Sequence, residues 1–97
     1  MKVWLDDERK MPEGFDIHVF TAREAITLLA TGKVTFISLD HDLGDEKNGT
    51  GYDVACYLEE AAFSETIGPL QVQIHSANPV GRMRMQQAIE NAKIYWG

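Results

Sequence analysis

The sequence predicts a single α/β domain built on a parallel β-sheet. Short apolar runs alternate with amphipathic helical segments along the chain, in the order β, loop, β, α, β, α, β, α. Such alternation is typical of a parallel sheet whose strands are joined through helices. The 97 residues, 44% of them hydrophobic, suffice for one modest core. We therefore expect one three-layer domain over residues 1–97, with the strand order 2-1-3-4 and helices on both faces of the sheet.

Four short apolar runs predict the strands, at residues 3–5, 17–20, 34–39 and 70–75. The third run is continuously apolar, as in a central strand, whereas the fourth alternates and is expected at or near an edge. The connection between the first two strands holds Pro12 and Gly14 and lacks helical periodicity, so a loop replaces the first helix. Residues 94–96 could begin a short fifth strand.

A helix start signal precedes each of three segments with apolar residues at helical spacing. Thr21 and Glu24 form a capping box before the first of them. Thr50 is a cap followed by an acid in the first turn of the second segment. Asn78, followed by a proline, is an N-cap with proline at the first helical position. These signals predict three helices.

The composition excludes several classes of partner. The chain carries 15 acidic and 9 basic residues, and its formal net charge is -6. Binding of duplex nucleic acid requires rows of Lys and Arg, so we expect none. The only cysteine, Cys56, cannot form an internal disulfide, and no apolar run reaches the ~18 residues that span a membrane. We expect a soluble, cytoplasmic protein with no membrane association; its oligomeric state is left open.

Acidic residues follow two of the predicted strands. Asp6 and Asp7 come after the first strand, and Asp40 and Asp42 come at the end of the third. If these strands pair, their carboxylates meet and repel one another unless a cation joins them. Oxygen ligands suit Mg²⁺ or Mn²⁺ better than zinc. The alternative is that these residues cap turns and face solvent.

Two histidines, His41 and His75, directly follow apolar strands. Two such side chains can act as general acid and base on opposite sides of a phosphorus centre. The alternative is a structural role, with His41 in a hydrogen-bond network that holds the acidic cluster. His18 is interpreted as structural or simply exposed.

The turn after the fourth strand has the residue types of a phosphate site. Ser76 offers a hydroxyl, Asn78 begins a helix with free backbone N–H groups, and Arg82 lies in the first turns of that helix. An arginine there opposes the helix dipole, a small cost that a bound phosphate would explain. The alternative for Arg82 is a salt bridge to one of the 15 acids.

Four motifs together resemble the receiver-like family termed cyclic-phosphate processing, which is similar to the receiver domains of response regulators. They are WLDDER at 4–9, ISLDHDLG at 37–44, GTGYD at 49–53 and HSANP at 75–79. The resemblance implies a shortened, receiver-like (flavodoxin-like) fold without the first helix. It places Asp6, Asp7 and Asp40 on the metal and phospho-acceptor positions of receivers. It also implies activity on cyclic phosphates, such as RNA ends that carry a 2′,3′-cyclic phosphate.

One departure from receivers bears on function. Receivers place a lysine at the end of a fifth strand, whereas Lys93 here precedes the predicted strand stub, so signalling through an aspartyl phosphate is not expected. Two functions stay open. The first is a metal-dependent phosphoesterase acting on the cyclic phosphate of a nucleotide or RNA end, with Asp40, His41 and His75 in catalysis. The second is a non-catalytic module that binds a partner protein or a phosphorylated ligand. Catalysis by both histidines requires that both open onto the acidic cluster.

Overall fold

The computed structural model describes all 97 residues and contains four strands and three α-helices. Their bounds are β1 (Lys2–Leu5), β2 (Ile17–Val19), α1 (Ala22–Leu29), β3 (Phe36–Leu39), α2 (Gly51–Phe63), β4 (Gln71–Ile74) and α3 (Pro79–Trp96). A single 3-10 turn, Glu46–Asn48, lies between β3 and α2. The strands are all parallel and follow the order β2-β1-β3-β4, which confirms the predicted topology.

Each helix begins at its predicted cap. Thr21 and Glu24 close a capping box at α1, and Thr50 and Asp53 close a second one at α2. The side chain of Asn78 accepts a hydrogen bond from a backbone N–H in the first turn of α3. The local sequence therefore fixes where the helices start. None of these helices is both long enough and apolar enough to cross a membrane.

The predicted fifth strand is wrong, because residues 94–96 extend α3 by almost one turn. Ala92 is buried on the inner face of this helix, and Trp96 Nε1 donates a hydrogen bond of 2.8 Å to the carbonyl oxygen of Ile67. These contacts hold the last turn against the domain. β4 is consequently an edge strand, and its Gln71 and Gln73 side chains are exposed as its alternating sequence predicts.

All three helices pack on one face of the sheet, which corrects the expectation of helices on both faces. α2 contacts both α1 and α3, and one buried cluster of 18 residues joins all three helices to the strands. The reason lies in the handedness of the connections. The crossovers from β2 to β3 and from β3 to β4 run in the same direction along the sheet, so two right-handed crossovers put α1 and α2 on the same side.

The opposite face of the sheet is covered by the loop of residues 6–16. Phe15 of this loop packs edge-on against Trp4 of β1 and Phe36 of β3, with ring centroids 5.3 and 5.7 Å apart. The indole N–H of Trp4 donates to the carbonyl oxygen of Arg9 at 3.3 Å. The third layer is therefore a loop, and its first residues are held beside the carboxyl ends of the strands.

Gly51 allows the start of α2 to lie directly against the end of β3. A Cβ atom at this position would overlap the carbonyl oxygen of Asp40 and contact the sulfur of Met85. We expect Gly51→Ala to lower the free energy of unfolding by about 3 kcal/mol, measured by urea denaturation. The matched control is Gly68→Ala, whose Cβ would have no neighbour within 4 Å, and it should stay within about 0.5 kcal/mol of wild type. Equal stabilities would contradict this close approach.

Candidate active site

Asp6 is a fully buried carboxylate at the end of β1. Its Oδ1 accepts the backbone N–H groups of Glu8 and Arg9, both at 2.8 Å, and its Oδ2 lies 3.0 Å from Nε2 of His75. Burial alone would raise the pKa of Asp6, but the two backbone N–H groups and His75 outweigh it, so the pKa lies below its usual value. Asp6 is therefore a fixed negative charge.

His75 is bonded at both ring nitrogens. Nδ1 lies 2.7 Å from the hydroxyl of Ser38, Nε2 contacts Asp6, and the ring stacks on Trp4 with centroids 3.8 Å apart and planes inclined by 6°. Burial lowers the pKa of His75 although the hydrogen bond to Asp6 acts in the opposite direction. With Asp6 ionised, these partners assign the proton to Nε2 and leave Nδ1 to accept from the serine hydroxyl. His75 can exchange a proton only if one of these bonds opens.

Asp40 completes a group of three side chains from three strand ends. Its Oδ1 accepts the backbone N–H of His41 at 2.8 Å, and its pKa is raised, first by burial and then by the charge of Asp6. The ligand atoms of Asp6, Asp40 and His75 all lie within 4.8 Å of one another. Ligands around one small divalent ion are at most about 4.2 Å apart, so a slight closure of the side chains fits this group to a metal.

The group follows from the register of the sheet. Trp4 pairs with Ser38, and Ser38 pairs with Gln73. The ladder continues past the strands, because the backbone N–H of Asp40 donates to Leu5 and that of His75 donates to Leu39. Side chains two residues apart lie on the same face of a strand, so the next row on the face without helices is formed by Asp6, Asp40 and His75.

The two other predicted metal ligands, Asp7 and Asp42, lie outside this close group. They line the same cleft, which has a volume of about 300 Å³ and is formed by Asp6, Asp7, Glu8, Arg9, Asp40, Asp42, Gly44 and Ala77. The close group thus contains two carboxylates and the imidazole of His75, whereas the sequence predicts four carboxylates. An imidazole ligand suits metals such as Zn²⁺ and Fe²⁺ better than Mg²⁺, whereas the two carboxylates suit Mg²⁺ and Mn²⁺.

His41 does not line the cleft and is connected to it through Asp42. Its Nδ1 lies 3.0 Å from Oδ1 of Asp42, and this hydrogen bond lowers the pKa of Asp42. The ring packs against Gly81 of α3, where a Cβ would overlap it. Nε2 of His41 has no hydrogen-bond partner, and since no buried polar side-chain atom is unpaired, this nitrogen reaches solvent. Of the two histidine rings, that of His75 is hydrogen-bonded directly to Asp6, whereas that of His41 is hydrogen-bonded only to Asp42 at the side of the cleft.

The three predicted phosphate ligands are not brought together. The Ser76 hydroxyl accepts the backbone N–H of Asn78 at 3.1 Å, and the Asn78 side chain caps α3 and donates to Asp42 at 3.4 Å. Both side chains are used to build the turn. Arg82 lines a separate groove between β4 and α3, together with Ile74, Pro79, Met83, Gln86, Gln87 and Glu90. The structure therefore does not place Arg82 in the acidic cleft.

Arg9 is a cleft residue to which the sequence interpretation gave no role. Its guanidinium Nη1 donates to the carbonyl oxygen of His75 at 2.6 Å, and it is the one Lys or Arg among the residues that line the cleft. The available signal was its place in the WLDDER motif, three residues after Asp6. Its reach across to β4 depends on the path of the loop, which local patterns do not reveal.

The comparisons with known proteins give a family. The family model described as the cyclic-phosphate processing receiver domain matches residues 1–91. This span includes the whole sheet, α1, α2 and every residue that lines the acidic cleft. No curated protein and no solved structure shows significant similarity to the chain.

Metal binding can be followed through Trp4, because its indole stacks on His75. In a Trp96→Phe background, which leaves Trp4 as the only tryptophan, we expect Mn²⁺ to change the fluorescence. Asp40→Asn should weaken Mn²⁺ binding at least about 10-fold, since losing a metal ligand costs no less than losing a residue that hydrogen-bonds to a ligand. The matched control Asp42→Asn removes an equal charge from the cleft and should change affinity no more than about fivefold. Equal losses in both variants would remove Asp40 from the metal group.

The lowered pKa of His75 predicts a pH dependence of stability. Below the ordinary histidine value of 6.5, the unfolded chain takes up a proton that the folded chain does not, so stability falls as the pH falls towards the lowered folded pKa. We expect the loss of unfolding free energy between about pH 7.5 and about pH 5.5 to be smaller in His75→Gln than in wild type. Urea denaturation at both pH values measures it. An unchanged loss in His75→Gln would contradict the assignment.

Proposed function

Because the chain belongs to the family of cyclic-phosphate processing receiver domains, we propose that it hydrolyses a cyclic phosphodiester with the help of a divalent metal ion. The substrate class is a cyclic nucleotide or an RNA end with a 2′,3′-cyclic phosphate. The observation that carries this proposal is the convergence of ligand atoms from Asp6, Asp40 and His75 within 4.8 Å, beside an open cleft.

Asp6, Asp40 and His75 are the residues that would hold the metal ion. When bound, the ion would neutralise the charge of the phosphate, which the carboxylates of the cleft otherwise repel. His75 can bind a metal through Nε2 if its proton moves to Nδ1 and is donated to Ser38. The hydroxyl of Ser38, 2.7 Å from Nδ1, can accept as well as donate, so it supports either tautomer. The hydrogen bond between Ser38 and His75 can therefore form both with and without a bound metal ion.

His41 is the residue proposed to move the proton. Asp42 orients its Nδ1–H and leaves Nε2 open to solvent, which is how a carboxylate prepares a histidine base. In the reaction a water oxygen bonds to phosphorus and one P–O ester bond breaks. His41 takes the proton from the water and returns it to the departing oxygen. The product is a phosphomonoester with one new free hydroxyl group.

The lining of the cleft bears on what it recognises. Apart from Ala77 and Gly44, every residue around it is charged, and it offers no apolar wall for a nucleobase. Binding pockets for whole small molecules are mostly apolar. The cleft is therefore suited to the phosphate and its sugar, and we expect little discrimination between bases.

The second candidate function is a non-catalytic module that binds a phosphorylated ligand or a partner protein. The observation in its favour is that no buried polar side-chain atom lacks a partner, including both ring nitrogens of His75. The network is complete without a ligand, so a stable fold alone could explain it. Turnover separates the two functions.

The direct test is hydrolysis of adenosine and guanosine 2′,3′-cyclic phosphates, with 3′,5′-cyclic AMP beside them, in Mn²⁺, Mg²⁺ or a chelator. We expect metal-dependent ring opening with similar rates for the two bases. His41→Gln should lose about 100-fold in kcat, because it removes the proton carrier, and should keep its Mn²⁺ affinity, because His41 is not in the group that would hold the metal. Lys10→Gln, at an exposed position that does not line the cleft, should stay near wild type. Binding of these nucleotides without turnover in any metal would support the second function instead.

A further inference from the structure

Arg9 is held in place at three points. Its backbone N–H donates to Asp6 at 2.8 Å, its carbonyl oxygen accepts from the indole of Trp4 at 3.3 Å, and its guanidinium donates to the carbonyl oxygen of His75 at 2.6 Å. The residue is otherwise exposed at the mouth of the cleft. A long surface side chain usually loses rotational freedom about several bonds when it binds a ligand, at a cost in entropy. These three hydrogen bonds already order Arg9, so this cost is smaller for it.

The guanidinium is not neutralised by the acids around it. Five carboxylates line the cleft, from Asp6, Asp7, Glu8, Asp40 and Asp42, yet Arg9 forms no ion pair within 4.0 Å with any of them. A guanidinium has five N–H donors, and only one of these is bonded here. Burial raises the pKa of Asp40 and the charge of Arg9 acts against this rise, so the guanidinium acts electrostatically on the proposed metal group.

We infer that Arg9 is the phosphate-binding residue of the cleft, and that it grips non-bridging phosphate oxygens with the free edge of its guanidinium. This inference rests on the proposed function for the choice of a phosphate as ligand. It replaces Arg82, which lines another groove, in that role. Beside the proposed metal group, a guanidinium held in this way can bind two oxygens of a phosphate through parallel hydrogen bonds.

The test compares Arg9→Gln with Lys10→Gln, which removes the same charge from the adjacent, exposed position. Three quantities are measured: KM and kcat for adenosine 2′,3′-cyclic phosphate, the dissociation constant of inorganic phosphate in Mn²⁺, and the dissociation constant of Mn²⁺ alone. Arg9→Gln should raise KM and the phosphate constant about 10- to 100-fold, the effect of one charge-assisted pair. It should leave Mn²⁺ binding unchanged or tighter, because a nearby cation has been removed.

Arg9→Lys distinguishes a fork from a mere charge. Lysine keeps the charge but cannot form two parallel bonds, so it should recover only part of the lost phosphate affinity. Both substitutions keep the backbone bonds to Asp6 and Trp4, and urea denaturation checks that each variant folds. If Arg9→Gln does not fold, Arg9→Lys alone decides, with wild-type phosphate affinity counting against the fork.

The outcomes separate this inference from the proposed activity. Arg9-dependent binding of inorganic phosphate without any hydrolysis would support the inference and overturn the activity. Hydrolysis with an unchanged KM in Arg9→Gln would support the activity and overturn the inference. An RNA oligomer ending in a 2′,3′-cyclic phosphate, tested beside the mononucleotide, shows which of the two sources supplies the phosphate. Absence of phosphate binding by wild type would overturn the inference directly.

Discussion

A charged carboxylate buried at the end of a central strand must be compensated, and the compensation of Asp6 organises much of this molecule. Its Oδ1 takes the backbone N–H groups of Glu8 and Arg9, which turns the chain away from the sheet as a loop. Its Oδ2 is hydrogen-bonded to His75, which follows β4, and its carbonyl oxygen is hydrogen-bonded to the ring of His18 in β2 at 2.7 Å. One residue thus connects the loop to both edges of the sheet.

The fold could be predicted because its signals are local. Alternating apolar runs and three helix caps specify element type and order, whereas the fifth strand failed because a three-residue apolar run fits the end of a helix as well as a strand. The position of the helices was within reach too. Once the order β2-β1-β3-β4 is accepted and the first connection is a loop, both remaining crossovers run the same way and must share a face.

The sequence predicted where the site lies, but only some of the residues that form it. Strand ends identify Asp6, Asp40 and His75. Asp7 is adjacent to Asp6 and therefore points the opposite way, and Asp42 lies two residues beyond Asp40, past this row. Extending the alternation from Trp4, Ser38 and Gln73 by two residues would have separated them. Arg9 has no such periodic signal, because its place depends on tertiary bonds to β1 and β4.

This chain lacks two features of receivers, the first helix and the lysine, and the loop of residues 6–16 bears on both. In receivers, a lysine at the end of a fifth strand brings a positive charge to the acidic site. Here β4 is an edge of the sheet, and that lysine has no counterpart among the four strands. The loop that stands in place of the first helix lies on the helix-free face, directly beside the row of Asp6, Asp40 and His75, and it carries Arg9 there. A helix starting at this point would hold its backbone N–H and C=O groups in its own hydrogen bonds and could not bond Asp6 and Trp4 as this loop does. The loop after β1 therefore brings the positive charge of Arg9 to the acidic site.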